Sequence, residues 1–156
     1  MTFQKTPGGT RGTKAIPANA FSRFTMRMMV MVHRMSGDRF MGQDLLYLTT
    51  VGAKSGHKRL STLGRFADGD DSWLVVASVG GAVNNPGWYH NIAAHPDQVW
   101  AEIGRKQFRV TPQQLEGEER AEAWGRITTQ SPRYAGYATK TDRVIPIIRL
   151  TRAEPA

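Results

Sequence analysis

Lys54, Lys58 and Arg59 fall close together in the chain, with Gly52 and Gly56 beside them and Ser55 between. Two glycines let a backbone turn tightly and let a ligand approach it closely. Successive backbone N–H groups in such a turn form a concave anion site, and nearby cations complete it. A charge-assisted hydrogen bond from Lys or Arg contributes about 1.5–3 kcal/mol, so two or three hold a phosphate. The same residues also describe a solvated basic hairpin tip, since turns rich in glycine and lysine are common. The segment is not a Walker A loop, because Lys54-Ser55 precedes Gly56 rather than following a glycine run in the required order.

Two further segments have the residue types for a flat or anionic ligand. Val76-Ala77-Ser78-Val79-Gly80-Gly81 places a hydroxyl and two glycines at the end of an apolar run, where a planar ring can lie against backbone. Asn84-Asn85-Pro86-Gly87-Trp88-Tyr89-His90-Asn91 joins a helix start to aromatic rings, and helix N-terminal N–H groups favour anions. Trp88 is equally suited to anchoring a core. Tyr134 and Tyr137 are three apart, so on a helix they share a face, and phenols there can give a proton to a reduced product. A buried structural pair would show the same spacing.

Other chemistries lack their residues. Cysteine is absent, which removes disulfides, thiolate metal sites and thiol nucleophiles. His90 and His95 have the wrong spacing for one helix face, and no carboxylate is placed to finish a zinc site, so no metal is expected. There is no Gly-x-Ser-x-Gly elbow and no Gly-x-Gly-x-x-Gly after a strand. The net charge of +8 lies entirely in residues 1–60, which hold ten basic and two acidic residues. An anionic partner is therefore sought in that part of the chain.

The elements that must position these groups follow from periodicity and turn residues. Residues 1–18, rich in glycine, proline and basic side chains, predict a mobile basic arm, and 19–156 a single domain. Phe21, Phe24, Met28, Met31, Val32 and Met35 recur at helical spacing and predict an amphipathic helix over 19–36 that covers a core. The same helix, with arginines on its other face, is also compatible with a membrane surface or a lid. Strands are predicted over 44–51, 59–66, 73–78, 98–103, 107–111 and 143–150. Pro146 makes the last an edge or bulged strand. A short helix starts at Pro86 with Asn85 as its cap, a longer one spans 115–130 with Leu115, Ala123, Trp124 and Ile127 inward, and 131–141 is a loop or short helix. About six strands joined mostly by hairpin turns, with helices packed on them, predict an α+β fold built on an antiparallel sheet or small barrel.

Taken together, these segments resemble one family. Leu48 to Arg59, Ala77-Ser78 with Gly80-Gly81, Asn85-Pro86-Gly87-Trp88-Tyr89-His90-Asn91, and Tyr134 and Tyr137 with Thr141-Asp142-Arg143-Val144-Ile145-Pro146 resemble, in order and spacing, the deazaflavin-dependent nitroreductases, a branch of the flavin/deazaflavin oxidoreductases of actinobacteria. The resemblance implies a split β-barrel and coenzyme F420, and hydride transfer from the reduced coenzyme to quinones, activated alkenes in enones and lactones, or nitroaromatics. It implies that Lys54, Ser55 and Arg59 hold the coenzyme's phosphate in the turn that includes Ala53. Leu60, Ser61 and Thr62 line the next strand, and Val76, Ala77, Ser78 and Val79 meet the ring by backbone. Trp88, Tyr89 and Asn91 complete the coenzyme site, while Ser78, Tyr134 and Tyr137 face the substrate. Val79 stands where some members have Lys, and Ser131 where some have Tyr.

The expectation is a cytoplasmic reductase whose partner is a small hydride acceptor. Peripheral membrane contact through residues 19–36 is compatible with a lipid quinone as that acceptor. The alternatives are a split-barrel FMN or haem binder and a basic module that binds nucleic acid or membrane. Against nucleic acid, the aromatic residues are not interleaved with the basic ones as in stacking platforms.

Overall fold

The computed structural model describes residues 5–12, 20–35, 37–40, 43–78 and 81–153. Val79 and Gly80 are outside the described residues, and so are the side chains of Phe21, Arg23 and Phe24.

Helix α1 (Ala20–Met35) precedes strands β1 (Arg39–Phe40), β2 (Gln43–Val51), β3 (Lys58–Gly64), β4 (Phe66–Ala67) and β5 (Ser72–Val76). Helix α2 (Gly87–Ala94), strands β6 (Trp100–Ile103) and β7 (Lys106–Gln114), helices α3 (Gly117–Gln130) and α4 (Arg133–Lys140), and strand β8 (Ile147–Arg152) follow. The strands form one sheet in the order β1-β2-β6-β7-β8-β5-β4, and β3 also pairs with β2 off this path. Every pairing is antiparallel. This is the split-barrel α+β fold with flanking helices. The strand count exceeds the expected six because Arg65 interrupts the 59–66 run and because β1 adds a two-residue rung.

Side-chain alternation divides the core. Val75 of β5 and Ile148 and Leu150 of β8 join Leu46, Leu48, Trp88, Tyr89 and Ile92 on one face. Leu74 and Val76 of β5 and Ile147 of β8 join Leu115, Ala123, Ile127 and Tyr134 on the other. Both faces of β5 are covered, which is why Trp73–Val76 reads as a continuous apolar run rather than an alternating one. The tight connection from β6 to β7 places Gly104 and Arg105 both at positive φ (61° and 64°), the geometry of a type I′ hairpin turn.

Three expectations are corrected. Pro146 precedes β8 rather than interrupting it, and β8 is central, between β7 and β5. Pro146 needs no ladder donor there, and its carbonyl accepts from the Ala77 N–H at 2.9 Å. The cap of α2 is Pro86, not Asn85, whose side chain is used elsewhere. In α1, Met28, Met31, Val32 and Met35 are 49–76 % exposed, whereas Val30 and His33 are buried. The inward stripe runs through 30, 33 and 34, the i, i+3, i+4 spacing of one helix face. It is fixed by a two-pronged ion pair from Arg34 to Glu102 of β6, both contacts 2.8 Å, so the methionine stripe is turned outward.

Of the arm expected over 1–18, residues 5–12 are described, and they are hydrogen-bonded along their length. The Thr6 N–H donates to the Tyr89 hydroxyl at 2.8 Å, and the Gly9 N–H to the Val83 carbonyl at 2.8 Å. The N–H groups of Thr10 and Arg11 donate to Asp142 Oδ1 at 2.7 and 3.0 Å. The Thr10 hydroxyl also donates to Asp142. These donors favour the ionised carboxylate and hold its pKa down to about 2.

Asp68 anchors the far side of the sheet. It accepts from Arg149 Nε of β8 at 2.5 Å and from Arg126 Nη2 of α3 at 3.0 Å, and Arg149 also pairs with Glu119 at 2.9 Å. Burial alone would raise the Asp68 pKa, but the two guanidinium groups outweigh it and the carboxyl is held below its ordinary range. Asp68→Ala is expected to cost about 2 kcal/mol, because it removes two charge-assisted hydrogen bonds, one from Arg149 and one from Arg126. That lowers the melting temperature by roughly 4–8 °C in a chain of this size. A depressed folded-state pKa gives stability that is present above the unfolded value of about 3.9 and lost as pH falls through the folded value. Thermal melts from pH 7 to pH 2 should show this loss in the wild type, and a shallower acid limb in the variant.

Candidate active site

The turn between β2 and β3 closes on itself. The Gly52 N–H donates to the His57 carbonyl at 2.8 Å, and the Gly56 N–H to the Gly52 carbonyl at 3.0 Å. Gly56 has φ +72°, a conformation that side-chain-bearing residues rarely adopt. Ser55 Oγ accepts from the His57 N–H at 3.2 Å, which leaves its proton free to donate. A Cβ on Gly52 would be 2.5 Å from Ser55 Oγ, so a side chain there would displace the Ser55 hydroxyl from its place in the turn.

Helix α2 closes against that turn through one side chain. Asn91 Oδ1 accepts from the Ala53 N–H at 2.9 Å, and Asn91 Nδ2 donates to the fully buried Thr50 Oγ1 at 3.1 Å. Between turn and helix lies a cavity of about 600 Å³. One wall is Gly52, Ala53, Lys54, Ser55, Arg59, Leu60 and Ser61, and the other is Gly87, Trp88, His90 and Asn91. Segments some thirty residues apart thus meet as the motifs require.

The other predicted residues stand off this wall. Thr62 is next along β3, opposite Tyr47, and its Oγ1 is buried without a hydrogen-bond partner among the described residues. Val76 and Ala77 are buried at the end of β5. Ser78 is buried just beyond, and its carbonyl accepts from the Gly81 N–H at 2.9 Å. Val79 lies outside the described residues. Tyr89 is fully buried and points its hydroxyl to Thr6 and Gln114 rather than into the cavity. Tyr134 and Tyr137 do share a face of α4, edge to face at 5.4 Å between ring centres. Tyr134 packs against Phe66 and beside Gly64, at the far end of β3. Gly64 is three steps along β3 from Ser61, the last residue on the cavity wall, so Tyr134 is ~10 Å along the strand from the cavity. Burial raises the Tyr134 pKa above its ordinary value, with smaller opposing effects from Arg133, so this phenol keeps its proton at neutral pH.

Two cavity residues were not singled out by the sequence, Gly87 and His90, though both lie within the 84–91 segment. Burial, and then the Lys5 ammonium 3.5 Å from its Nδ1, hold the His90 pKa below its ordinary value, so it is neutral at pH 7. Lys58, expected beside the anion site, instead lies over the Trp100 ring at 4.8 Å and is not on the cavity wall. Positive charge on the wall therefore comes from Lys54 and Arg59.

A cavity of this volume suits a small cofactor. Cations, a free hydroxyl proton and a glycine-bounded turn on one wall match a phosphate. The Trp88 edge and the open first turn of α2 match a flat ring. A Cβ at Gly87 would meet nothing within 4 Å. Gly87→Leu is therefore expected to leave the melting temperature unchanged or slightly raised, because leucine is the better helix former, while weakening coenzyme binding about tenfold. Melting and fluorescence titration of one preparation check both halves.

Fold and cavity together define a split-barrel protein with a cofactor-sized cavity. The family model described as F420H(2)-dependent quinone reductase matches residues 21–152, and the chain belongs to that family. An F420H(2)-dependent quinone reductase of Mycobacterium tuberculosis (strain ATCC 25618 / H37Rv) is 42 % identical over 110 residues, covering 69 % of this chain and 72 % of the relative. A solved F420-H2 dependent reductase, FDR-A, matches with TM-score 0.60 and 41 % identity over 68 % of this chain and 92 % of its own. A second solved structure, described as a domain-swapped dimer, matches with TM-score 0.62 and 34 % identity over 85 % of this chain and 99 % of its own. The chain is accordingly an F420-dependent oxidoreductase, and the deazaflavin expectation stands.

Proposed function

We propose that the cavity between the β2–β3 turn and α2 is the seat of coenzyme F420, and that the chain reduces quinones and, more broadly, activated double bonds of enones or lactones and nitroaromatics. The observation that carries this reading is the convergence of Lys54, Ser55, Arg59, Trp88 and Asn91 on one cavity. Bound and reduced, F420 supplies a hydride from the carbon at position 5 of its ring. The chain's own residues bind and orient. Lys54, Ser55 and Arg59 hold the phosphate, and Leu60, Ser61 and Trp88 flank the bound molecule. The backbone at Val76–Ser78 supports the ring. Ser78 and the Tyr134–Tyr137 pair belong to the acceptor side, where the protonated Tyr134 phenol is a proton source for the reduced product.

The acceptor's approach has its own support in α1. Met28, Met29, Met31, Val32 and Met35 are exposed beside the exposed Arg27. An apolar stripe beside a cation suits an anionic membrane surface, where lipid quinones reside. No helix among the described residues is long and apolar enough to cross a membrane. Co-sedimentation with anionic vesicles, lost on deleting residues 1–36, tests this contact.

The test of function is anaerobic oxidation of reduced F420 by a panel of quinones, enones and nitroaromatics. Turnover with a quinone is the expected result. Coenzyme binding without oxidation by any acceptor would overturn the assigned reaction.

A further inference from the structure

Arg143 lies just after α4 and before β8. It is 6 % exposed, and no carboxylate partners it among the described residues. Its guanidinium donates to three acceptors in the β5–α2 connection. Nη2 reaches the Ser78 carbonyl at 2.7 Å, Nε the Ala82 carbonyl at 2.8 Å, and Nη1 the Asn85 Oδ1 at 2.9 Å. A buried arginine is costly unless its donors are satisfied, and here the acceptors lie on both ends of a single connection. The planar fork fixes the exit of β5 relative to the entrance of α2 in a way that a point charge cannot.

A second contact closes over the same connection. Asp142, the preceding residue, holds Thr10 and Arg11, and the segment they belong to lies on the connection's outer side. Gly9 donates to Val83, and a Cβ on Gly12 would be 2.5 Å from the Gly81 carbonyl. Asn85, which accepts from Arg143, also donates through Nδ2 to the Thr6 carbonyl at 3.0 Å. The connection is thus gripped from inside by Arg143 and from outside by residues 6–12.

From this geometry we infer that Arg143 is a positioning residue for the ring-side half of the coenzyme site. It sets the spacing between Ser78, at the end of β5, and Gly87–Trp88, at the cavity wall. The phosphate-side half, from Gly52 to Ser61, does not depend on it. The inference rests on the proposed seat of F420.

The test uses two fluorescent ligands, coenzyme F420 and its ring fragment, the deazaflavin with its ribityl chain and no phosphate. Both are titrated into the full chain, into Arg143→Lys and into Lys54→Ala, below the melting transition of each. Arg143→Lys keeps the charge but one ammonium replaces the fork. The Kd of both ligands is expected to rise by about the same factor, roughly tenfold, the effect of one lost interaction. Lys54→Ala is expected to weaken the intact coenzyme and leave the fragment unchanged. A merely structural role for Arg143 would lower the melting temperature without moving either Kd of the folded protein, and that result overturns the inference. So does a loss confined to the intact coenzyme, or a wild type that binds the coenzyme but not the fragment. If Arg143→Lys does not melt cooperatively, Asn85→Ala removes one of the three acceptors, and both Kd values should rise about threefold. Unchanged values there overturn the inference equally. A wild type that binds neither ligand overturns the proposed seat itself.

Discussion

Replacing both Lys54 and Arg59 with alanine is expected to weaken F420 binding about a hundredfold. Both side chains are on the cavity wall and both are exposed, so each contributes at the lower end of the charge-assisted range, about 1.5 kcal/mol. That is about tenfold apiece. The two are five residues apart at opposite ends of the turn, and their effects should add unless both reach one phosphate oxygen. Among the described residues neither makes a hydrogen bond to a core group, so the melting temperature should hardly change. Raising the salt concentration should weaken the wild type more than the variant, because exposed charges are screened. Fluorescence titration at two ionic strengths measures both effects. A double variant with wild-type affinity would place the phosphate elsewhere.

The second large effect is expected at Asn91. Its amide is the link between α2 and the turn, and Asn91→Ala removes a donor and an acceptor together. Thr50 Oγ1 is then left buried without this partner, and the Ala53 N–H loses its acceptor. We expect coenzyme binding to fall about thirtyfold, corresponding to about 2 kcal/mol of lost order in the turn. Asn91→Asp separates positioning from contact. The carboxylate can still accept from Ala53, and the Thr50 hydroxyl can turn to donate to it. Stability should therefore recover in Asn91→Asp, while affinity remains low because a negative charge now faces an anionic ligand. Melting curves and titrations of both variants give the split. Recovery of both properties in Asn91→Asp would mean that no phosphate approaches this wall.

The turn at 52–59 was legible in the sequence because its chemistry is local. Gly52 and Gly56 fix the loop, and Ser55 and Lys54 follow from it. Lys58 was misread for a non-local reason: its partner, Trp100, comes from β6 and is brought alongside by the pairing of Thr49 with Trp100. Pro146 suggested an edge strand because a proline has no ladder donor. The structure removes the difficulty by starting β8 one residue later. The methionine stripe of α1 predicted a buried face by periodicity, but periodicity gives a face and not its direction. The Arg34–Glu102 pair sets the direction, and it joins elements that are far apart in sequence. Asn85 was expected to cap α2, yet it serves Thr6 and Arg143, which lie at opposite ends of the chain. The tyrosine pair was correctly placed on one face, but its distance along β3 from the cavity needed the sheet register.

F420 is proposed to occupy the cavity between the 52–61 segment and α2. A crystal structure of the chain with the bound coenzyme tests it most directly. The phosphate is expected between the Lys54 ammonium and the Arg59 guanidinium, with the ring extending toward Trp88 and Ser78. A coenzyme found outside this cavity, with Lys54 and Arg59 facing only solvent, would contradict it.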